Sequence, residues 1–578
     1  MVPNHSPAAP STFHNLKRNK KKVMLILFSS LLLAAFVATV ATLSKHRSST
    51  TMATNAHAIL HTSCAATRYP SLCTSVISSS PSLLNSISSH KDVILASLNL
   101  TASAVHRSVV HVRNIAAAAA SNLTARERTA LADCVDMFDE SLDELRRSAD
   151  DIRALPTAAN EDKPLPSDPE ILVSAAMTNQ ESCLDGFSHD KLDRRLRDSI
   201  ITELTHVIHM CCNALAMIKG LPGRGGRVVE RRRTMGFGVD KEGWPEWMGE
   251  GDRRRMAEGD VAADAVVAAD GSGDYKTIGE AVEAAPAKSK KRYVIRIKAG
   301  TYAENVEVPK KKTNIMFVGD GRTTTVITGS RNVKDGSTTF RSATLAAVGE
   351  GFLARGLRIE NTAGPSKHQA VALRVGSDLS AFYDCEILGY QDTLYVHSLR
   401  QFFRGCLVQG TVDFIFGNAA AVLQDCDIQV RRPDPNQKNM VTASGREDPN
   451  EPTGIVIHRS RIAAAPDLEP VKASFKTYLG RPWKEYARTV VLESEIDGVI
   501  EAEGWHEWNG PFATETLYYG EYRNTGAGAG TDGRVKWKGY RVITDASEAA
   551  EFTPGNFIAG SNWLQETGFP YSLGLSMN

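Results

Sequence analysis

Hydrophobic and polar positions change rhythm three times along the chain. Val23–Leu43 is an unbroken run of 21 residues without a charge, long enough to cross about 30 Å of hydrocarbon as a helix. From 55 to 220 the apolar positions recur near a 3.6-residue period, as in Leu131, Val135, Phe138, Leu142 and Leu145. That period predicts amphipathic helices, including Thr124–Ile152 and Asp190–Lys219. A polar stretch holding Pro156, Pro164, Pro166 and Pro169 parts two helical blocks, so residues 55–220 are expected to form an antiparallel bundle of about four helices. From about 260 the pattern shortens to β-branched strands punctuated by Gly, Asn and Asp, such as Tyr293–Ile297, Asn314–Val318 and Phe352–Ile359.

Within this last region one strand unit repeats. An apolar residue, two variable residues, a small Cys or Ser, a residue that is polar in all but the second unit (Leu407) and then Ile or Val occur at Phe382–Ile387, Phe403–Val408, Leu423–Ile428, Ile457–Ile462 and Val491–Ile496. Cys385, Cys406, Cys426, Ser460 and Ser494 mark steps of 21, 20, 34 and 34 residues. Repeats of this size, each carrying one strand type, indicate a solenoid whose longer steps hold loop insertions. The fold class expected is an N-terminal all-α four-helix bundle followed by an all-β right-handed parallel β-helix. The three cysteines then line an interior column, where a small buried hydrophobe is the plainest use of the residue. Their spacing on neighbouring coils also leaves a Cys385–Cys406 bridge open.

Charge places the apolar run. Lys17, Arg18, Lys20, Lys21 and Lys22 precede it, and only Lys45, His46 and Arg47 follow it closely. Residues 1–22 are therefore expected as a cytosolic basic tail and 23–43 as a signal anchor or a signal peptide, with the remainder delivered outward. In that compartment Asn99-Leu100-Thr101 and Asn122-Leu123-Thr124 are glycan acceptor sequences, and Cys64, Cys73, Cys134 and Cys183 are available for two bridges. Residues 221–256 form a Gly/Arg/Pro linker containing Arg231-Arg232-Arg233 and Arg253-Arg254-Arg255, a natural protease substrate if exposed. The domain from 257 to 578 follows. Across the whole chain, Lys+Arg 67 against Asp+Glu 66 leaves +1, which argues against nucleic acid as a partner.

The chemistry concentrates on two coils. Asp392 lies seven residues after Cys385 and Asp413 seven after Cys406. Stacked in register, the two carboxylates would stand about 5 Å apart, so one should hold a proton near neutral pH. An acid beside an ionised carboxylate suits acid/base and nucleophilic work. The flanking sequences are Gly389-Tyr390-Gln391-Asp392-Thr393-Leu394-Tyr395 and Gly410-Thr411-Val412-Asp413-Phe414-Ile415-Phe416. A carboxylate in the second, apolar setting needs a partner, and Arg481 in Tyr478-Leu479-Gly480-Arg481-Pro482-Trp483 is the best candidate. Spacing alone fits a retaining glycosidase as well as an esterase. A long groove with Trp483 and Tyr395 suits a polysaccharide.

At these residues the sequence resembles the plant pectin methylesterases that carry an N-terminal inhibitor-like pro-region. The motifs Gly389–Tyr395, Asp413–Gly417 and Leu479–Trp483, with Gln369 in His368-Gln369-Ala370-Val371, carry the likeness. It implies hydrolysis of methyl esters of homogalacturonan to pectate and methanol, with Asp413 as nucleophile, oriented by Arg481. It also implies Asp392 as proton donor and then base, Gln391 and Gln369 as oxyanion donors, and Thr339, Gln369, Arg481, Trp483 and Tyr395 as substrate contacts. No metal or cofactor is implied. Residues 55–220 resemble the inhibitor domain, whose pattern implies bridges Cys64–Cys73 and Cys134–Cys183 and a pro-domain acting on its own chain. The Trp247–Met256 segment resembles the family's processing site, implying cleavage by a protease after Arg253-Arg254-Arg255. Pectin, the pro-domain, separate inhibitor proteins and a processing protease are the expected partners, and the cell wall the expected destination. The alternatives from other classes are a β-helix pectin depolymerase and a catalytically silent inhibitor protein.

Overall fold

The computed structural model describes residues 13–118, 122–155, 168–187, 191–221 and 262–576. The linker, with Arg253–Arg255, lies outside the described residues. Helix α1 (Phe13–Ala65) is 53 residues long. Its stretch Lys22–Leu43 has a mean hydropathy of 2.6 and is wholly exposed, and by length and composition it can cross a membrane.

The last turns of α1 enter a bundle completed by α2 (Pro70–Ser78), α3 (Pro81–Leu84), α4 (His90–Ala118), α5 (Ala125–Ala154), α6 (Pro169–Asp185) and α7 (Lys191–Lys219). The four long helices α4–α7 are the expected bundle. The short helices α2 and α3 lie beside it, and Cys64–Cys73, with a Cα–Cα distance of 5.6 Å, ties α2 to the end of α1. Local chemistry fixes the starts of the helices. Thr124 and Glu127 form a reciprocal capping box at α5, and Asp168 caps α6 ahead of Pro169, where a missing N–H costs nothing. Cys134–Cys183, with Cα–Cα 4.7 Å, ties α5 to α6. Asn99 and Asn122 are exposed. The Thr101 hydroxyl, by contrast, is buried and donates to Ser97 O at 2.8 Å.

Burial inside this bundle has a titratable consequence. Glu144 of α5 is 3% exposed and accepts from Asn179 Nδ2 of α6 at 3.1 Å. Burial pushes its carboxyl from 4.5 up to about 8, with Lys310 of the other domain pulling the opposite way. An acid whose folded pKa is raised favours folding below its unfolded pKa and loses that advantage as pH rises to the folded value. The thermal midpoint of the full chain should therefore fall between about pH 4.5 and 8. Glu144→Gln keeps the acceptor and should flatten that fall, which unfolding scans at pH 5 and 8 would measure.

Residues 262–576 form three parallel sheets of eleven, seven and eight strands, each strand pairing with its counterpart on the next coil. This is the expected parallel β-helix. The predicted repeat appears as a corner between two sheets: Asp384, Gly405, Asp425, Arg459 and Glu493, with φ between 47° and 60°, each precede the small residue of their coil. A left-handed residue turns the chain, and the small side chain after it fits inside. Phe317, Phe352, Phe382 and Phe403 stack beside this column with centroid spacings of 5.1, 5.7 and 4.9 Å.

The Cys385–Cys406 bridge is not formed; Cys385, Cys406 and Cys426 are all free and buried. Their thiols instead face backbone carbonyls, Cys385 toward Tyr383 O at 3.4 Å and Cys406 toward Phe382 O at 3.5 Å. Residues stacked in parallel register point the same way, whereas a disulfide needs its two Cβ–Sγ vectors turned toward each other.

Candidate active site

The seven-stranded sheet builds the site. Register pairs Ala346 with Arg374, Arg374 with Tyr395, Tyr395 with Phe416, Phe416 with Ala443, and Ala443 with Arg481. These residues make a single column across the coils. Tyr395 stacks on Phe416 at 4.2 Å, and Phe416 meets Trp483 at 6.0 Å. Strand alternation turns this whole column to the outer face, so an aromatic floor runs between two arginines.

The two aspartates stand at the edge of that floor. Leu394 pairs with Ile415, so Asp392 and Asp413, each two residues earlier, occupy equivalent places on adjacent coils, about 4.8 Å apart. Asp392 N donates to Val412 O at 3.0 Å. Both aspartates are left-handed, with φ of 62° and 52°, a conformation Asp tolerates better than most residues and one that gathers at functional sites.

Their environments differ. Asp413 accepts two bonds from Arg481, from Nε at 2.8 Å and Nη2 at 2.6 Å. Arg481 also lies over the Trp508 ring at 4.3 Å. Among the described residues Asp392 has no such ion-pair partner. Burial first, and Asp413 second, push its carboxyl well above the usual range, with Arg481 only partly opposing them. One carboxyl is thus held as an ion pair and its neighbour as an acid.

All eight of the expected substrate and catalytic residues line one cavity of about 280 Å³: Thr339, Gln369, Gln391, Asp392, Tyr395, Asp413, Arg481 and Trp483. Gln391 O accepts from Ala370 N at 3.2 Å, which sets Gln369 beside Gln391. Among the described residues, no group of three or more His, Cys, Asp or Glu side chains could hold a metal ion.

Sequence reasoning missed Phe340, Phe416 and Trp508, which also line the cavity. Phe416 follows Tyr395 by 21 residues, the same step that separates the aspartates, so the spacing carried its signal. It also missed the roof. Asp133 and Met137 of α5, with Ser182, Cys183 and Asp185 of α6, close the cavity from the helical side. Thr338 Oγ1 donates to Asp133 at 2.6 Å, and the Ser182 hydroxyl lies 3.1 Å from Tyr395 OH and 3.0 Å from His397 Nε2. Asn418 donates to Thr178 at 2.8 Å and Lys484 to Glu181 at 2.6 Å. One continuous apolar cluster joins the helical core to Phe340, Tyr395 and Phe416.

Comparison with known proteins decides the assignment. Residues 264–561 match the family model described as Pectinesterase, and residues 58–217 that described as Plant invertase/pectin methylesterase inhibitor. The chain is 56% identical over 566 residues to Pectinesterase 1 of Citrus sinensis, covering 97% of this chain and 96% of that one. The chain belongs to the pectinesterase family. Pectinesterase/pectinesterase inhibitor 3 of Arabidopsis thaliana is 55% identical, covering 97% of this chain and 98% of the other. The solved pectin methylesterase from carrot is 71% identical, with a TM-score of 0.54, and corresponds to 55% of this chain and 99% of its own. The pectinesterase assignment makes the enzyme an ester hydrolase and sets the depolymerase alternative aside.

Proposed function

We propose that the pectinesterase cleaves the methyl ester of galacturonate in homogalacturonan through an acyl-enzyme on Asp413, and that the helical domain blocks this site in its own precursor. The observation that carries the reading is the contrast between the neighbouring carboxyls, one in a two-point ion pair with Arg481, the other driven toward its acid form by burial.

The steps follow from that contrast. An Asp413 oxygen attacks the C6 carbonyl, and the negative charge moves to the carbonyl oxygen. Gln391 and Gln369, at the cavity wall, donate hydrogen bonds to it. As the tetrahedral intermediate collapses, Asp392 gives its proton to the leaving methoxide, releasing methanol. The ionised Asp392 then takes a proton from water, whose oxygen attacks the acyl carbon. Collapse of this second intermediate frees the galacturonate carboxyl and regenerates Asp413. Tyr395, Trp483 and Thr339 hold the polymer against the floor.

Gln391→Ala should reduce kcat roughly 10²-fold, as expected for a lost oxyanion donor, with little change in KM. Methanol release from highly methylated pectin measures it; a change confined to KM would make Gln391 a binding residue only. The apolar helix Lys22–Leu43 supports entry to the secretory pathway toward the cell wall, with cleavage after Arg253-Arg254-Arg255 separating the domains. Chain length of the pectin, followed alongside methanol, should stay constant. Separate inhibitor proteins of the helical type would dock where the pro-domain docks.

A further inference from the structure

Charge is divided unevenly along the solenoid. Residues 257–578 hold 36 Lys+Arg against 40 Asp+Glu, a net −4, yet residues 286–313 hold nine Lys+Arg against two Glu. That stretch carries +7 and the rest of the domain −11, a local concentration that the net charge hides.

Two turns gather these cations at one corner. Lys288–Arg292 leads into the strand Tyr293–Ile297, and Lys310–Lys312 lies between the strands Val306–Val308 and Ile315–Gly319. Tyr293–Ile297 pairs in parallel with Ile315–Gly319, so the turns stack one coil apart, about 4.8 Å. They are tied together: Lys288 N donates to Lys311 O at 2.6 Å, and Thr313 Oγ1 and Asn314 Nδ2 donate to Ser289 O at 2.7 and 2.9 Å. Two cations turn inward and brace the corner. Lys312 Nζ donates to Glu283 O at 2.6 Å and to Ala285 O, and Arg292 Nη1 to Gly351 O. Lys288, Lys290, Lys291 and Lys311 are exposed, and none forms an ion pair with a described residue. The acids on the following coils are already engaged, Glu350 by Arg147 of α5 and Asp378 by Arg400.

This corner is off the cleft. Strands of the seven-stranded sheet begin just after the aspartates and end just before the corner, which places the two on opposite edges of that sheet. Along the axis, Val306–Val308 is three coils from Leu394–Val396, about 14 Å.

We propose that Lys288, Lys290, Lys291 and Lys311 form a docking surface outside the cleft for a polyanionic polysaccharide, the de-esterified galacturonan that pectin demethylation leaves. Ammonium groups on flexible stems act as point charges with no fixed approach geometry, which suits a long chain meeting the surface in any register. The braced backbone keeps the four charges together, and carboxylates linked in one polymer engage them at high effective concentration. An acidic enzyme is thereby held to its polymer by a patch that takes no part in turnover. The identity of the polymer rests on the pectinesterase assignment; the reaction path through Asp413 does not enter.

The uncleaved chain isolates this surface, because its roofed cleft cannot take a polymer. Binding of fully de-esterified polygalacturonate at low ionic strength is compared for the parent and two variants of unchanged thermal midpoint. The first combines Lys288→Gln, Lys290→Gln, Lys291→Gln and Lys311→Gln. The second, matched in charge, combines Lys472→Gln, Lys476→Gln, Lys536→Gln and Lys538→Gln; the basic tail and linker are common to all. The first variant should bind at least about tenfold more weakly, the sum of several exposed charge pairs, and respond less to added salt. The second should stay within about twofold of the parent, and fully methylated pectin, which is uncharged, should not bind. If the first variant does not fold, Lys290→Gln with Lys291→Gln should lose about threefold. Equal losses in the two variants, no loss in the first, or equal binding of methylated pectin would overturn the docking surface. Absence of methanol from the linker-cleaved parent would overturn the esterase reading and leave the binding result standing.

Discussion

Asp413→Asn is expected to lower methanol release by about 10⁴-fold or more, the scale seen when a nucleophile is removed from a preorganised site. The substitution keeps the side chain's shape and one acceptor for Arg481 Nε, which now binds at 2.8 Å. It replaces the oxygen facing Nη2 by an amide nitrogen that cannot accept. Arg481 retains its place over Trp508, so the fold should survive with a modest loss of stability. The amide has no anionic oxygen to offer the ester carbon, and no rearrangement of Asp392 supplies one at the same place. Asp392→Asn should behave differently: acylation is slowed because methoxide leaves unprotonated, and deacylation stalls because no base activates water. A rapid-quench assay on methylated oligogalacturonide would distinguish them, since only the second variant can accumulate an acyl-enzyme. If Asp413→Asn retains more than a few per cent of the parent rate, Asp413 is not the nucleophile.

The sequence made the β-helix and its reactive pair legible because both are periodic. The corner that recurs at Cys385, Cys406 and Cys426 reports the coil length. Once the coil length is known, two aspartates at the same offset must share an angular position, and Arg481 lies in the register column that crosses both coils. The same logic failed for Cys385 and Cys406, where register was read as proximity without direction: parallel stacking brings thiols near but aims them alike. The roof was hidden for another reason. Asp133, Asp136 and Glu140 fall on the polar side of an amphipathic helix and are indistinguishable in sequence from a solvated face. Only the placement of α5 against Thr338 and Arg341 gives them an address. Arg374 was silent too, because an arginine at an outward strand position is an ordinary surface residue until a helix covers it.

Release of the helical domain should raise activity on polymeric pectin by at least about 10²-fold relative to the uncleaved chain. With α5 and α6 in place, the space over the aspartates is a cavity of about 280 Å³, too small for several sugar units and roofed along the groove that a polymer must follow. Opening it while the chain is intact means separating an apolar cluster shared by both domains together with the contacts of Asp133, Ser182 and Glu181. Tethering opposes this further, because the linker holds the roof at high effective concentration. The comparison is methanol release before and after protease treatment at the linker, with residues 55–220 then added back to the purified 257–578 region. Restored inhibition places control in the docked helices. Weaker inhibition by the Asp133→Asn, Asp136→Asn double variant would assign part of the grip to Arg341. An uncleaved chain as active as the released domain would mean that the roof lifts freely in solution, and the pro-domain would then have to serve folding or transport.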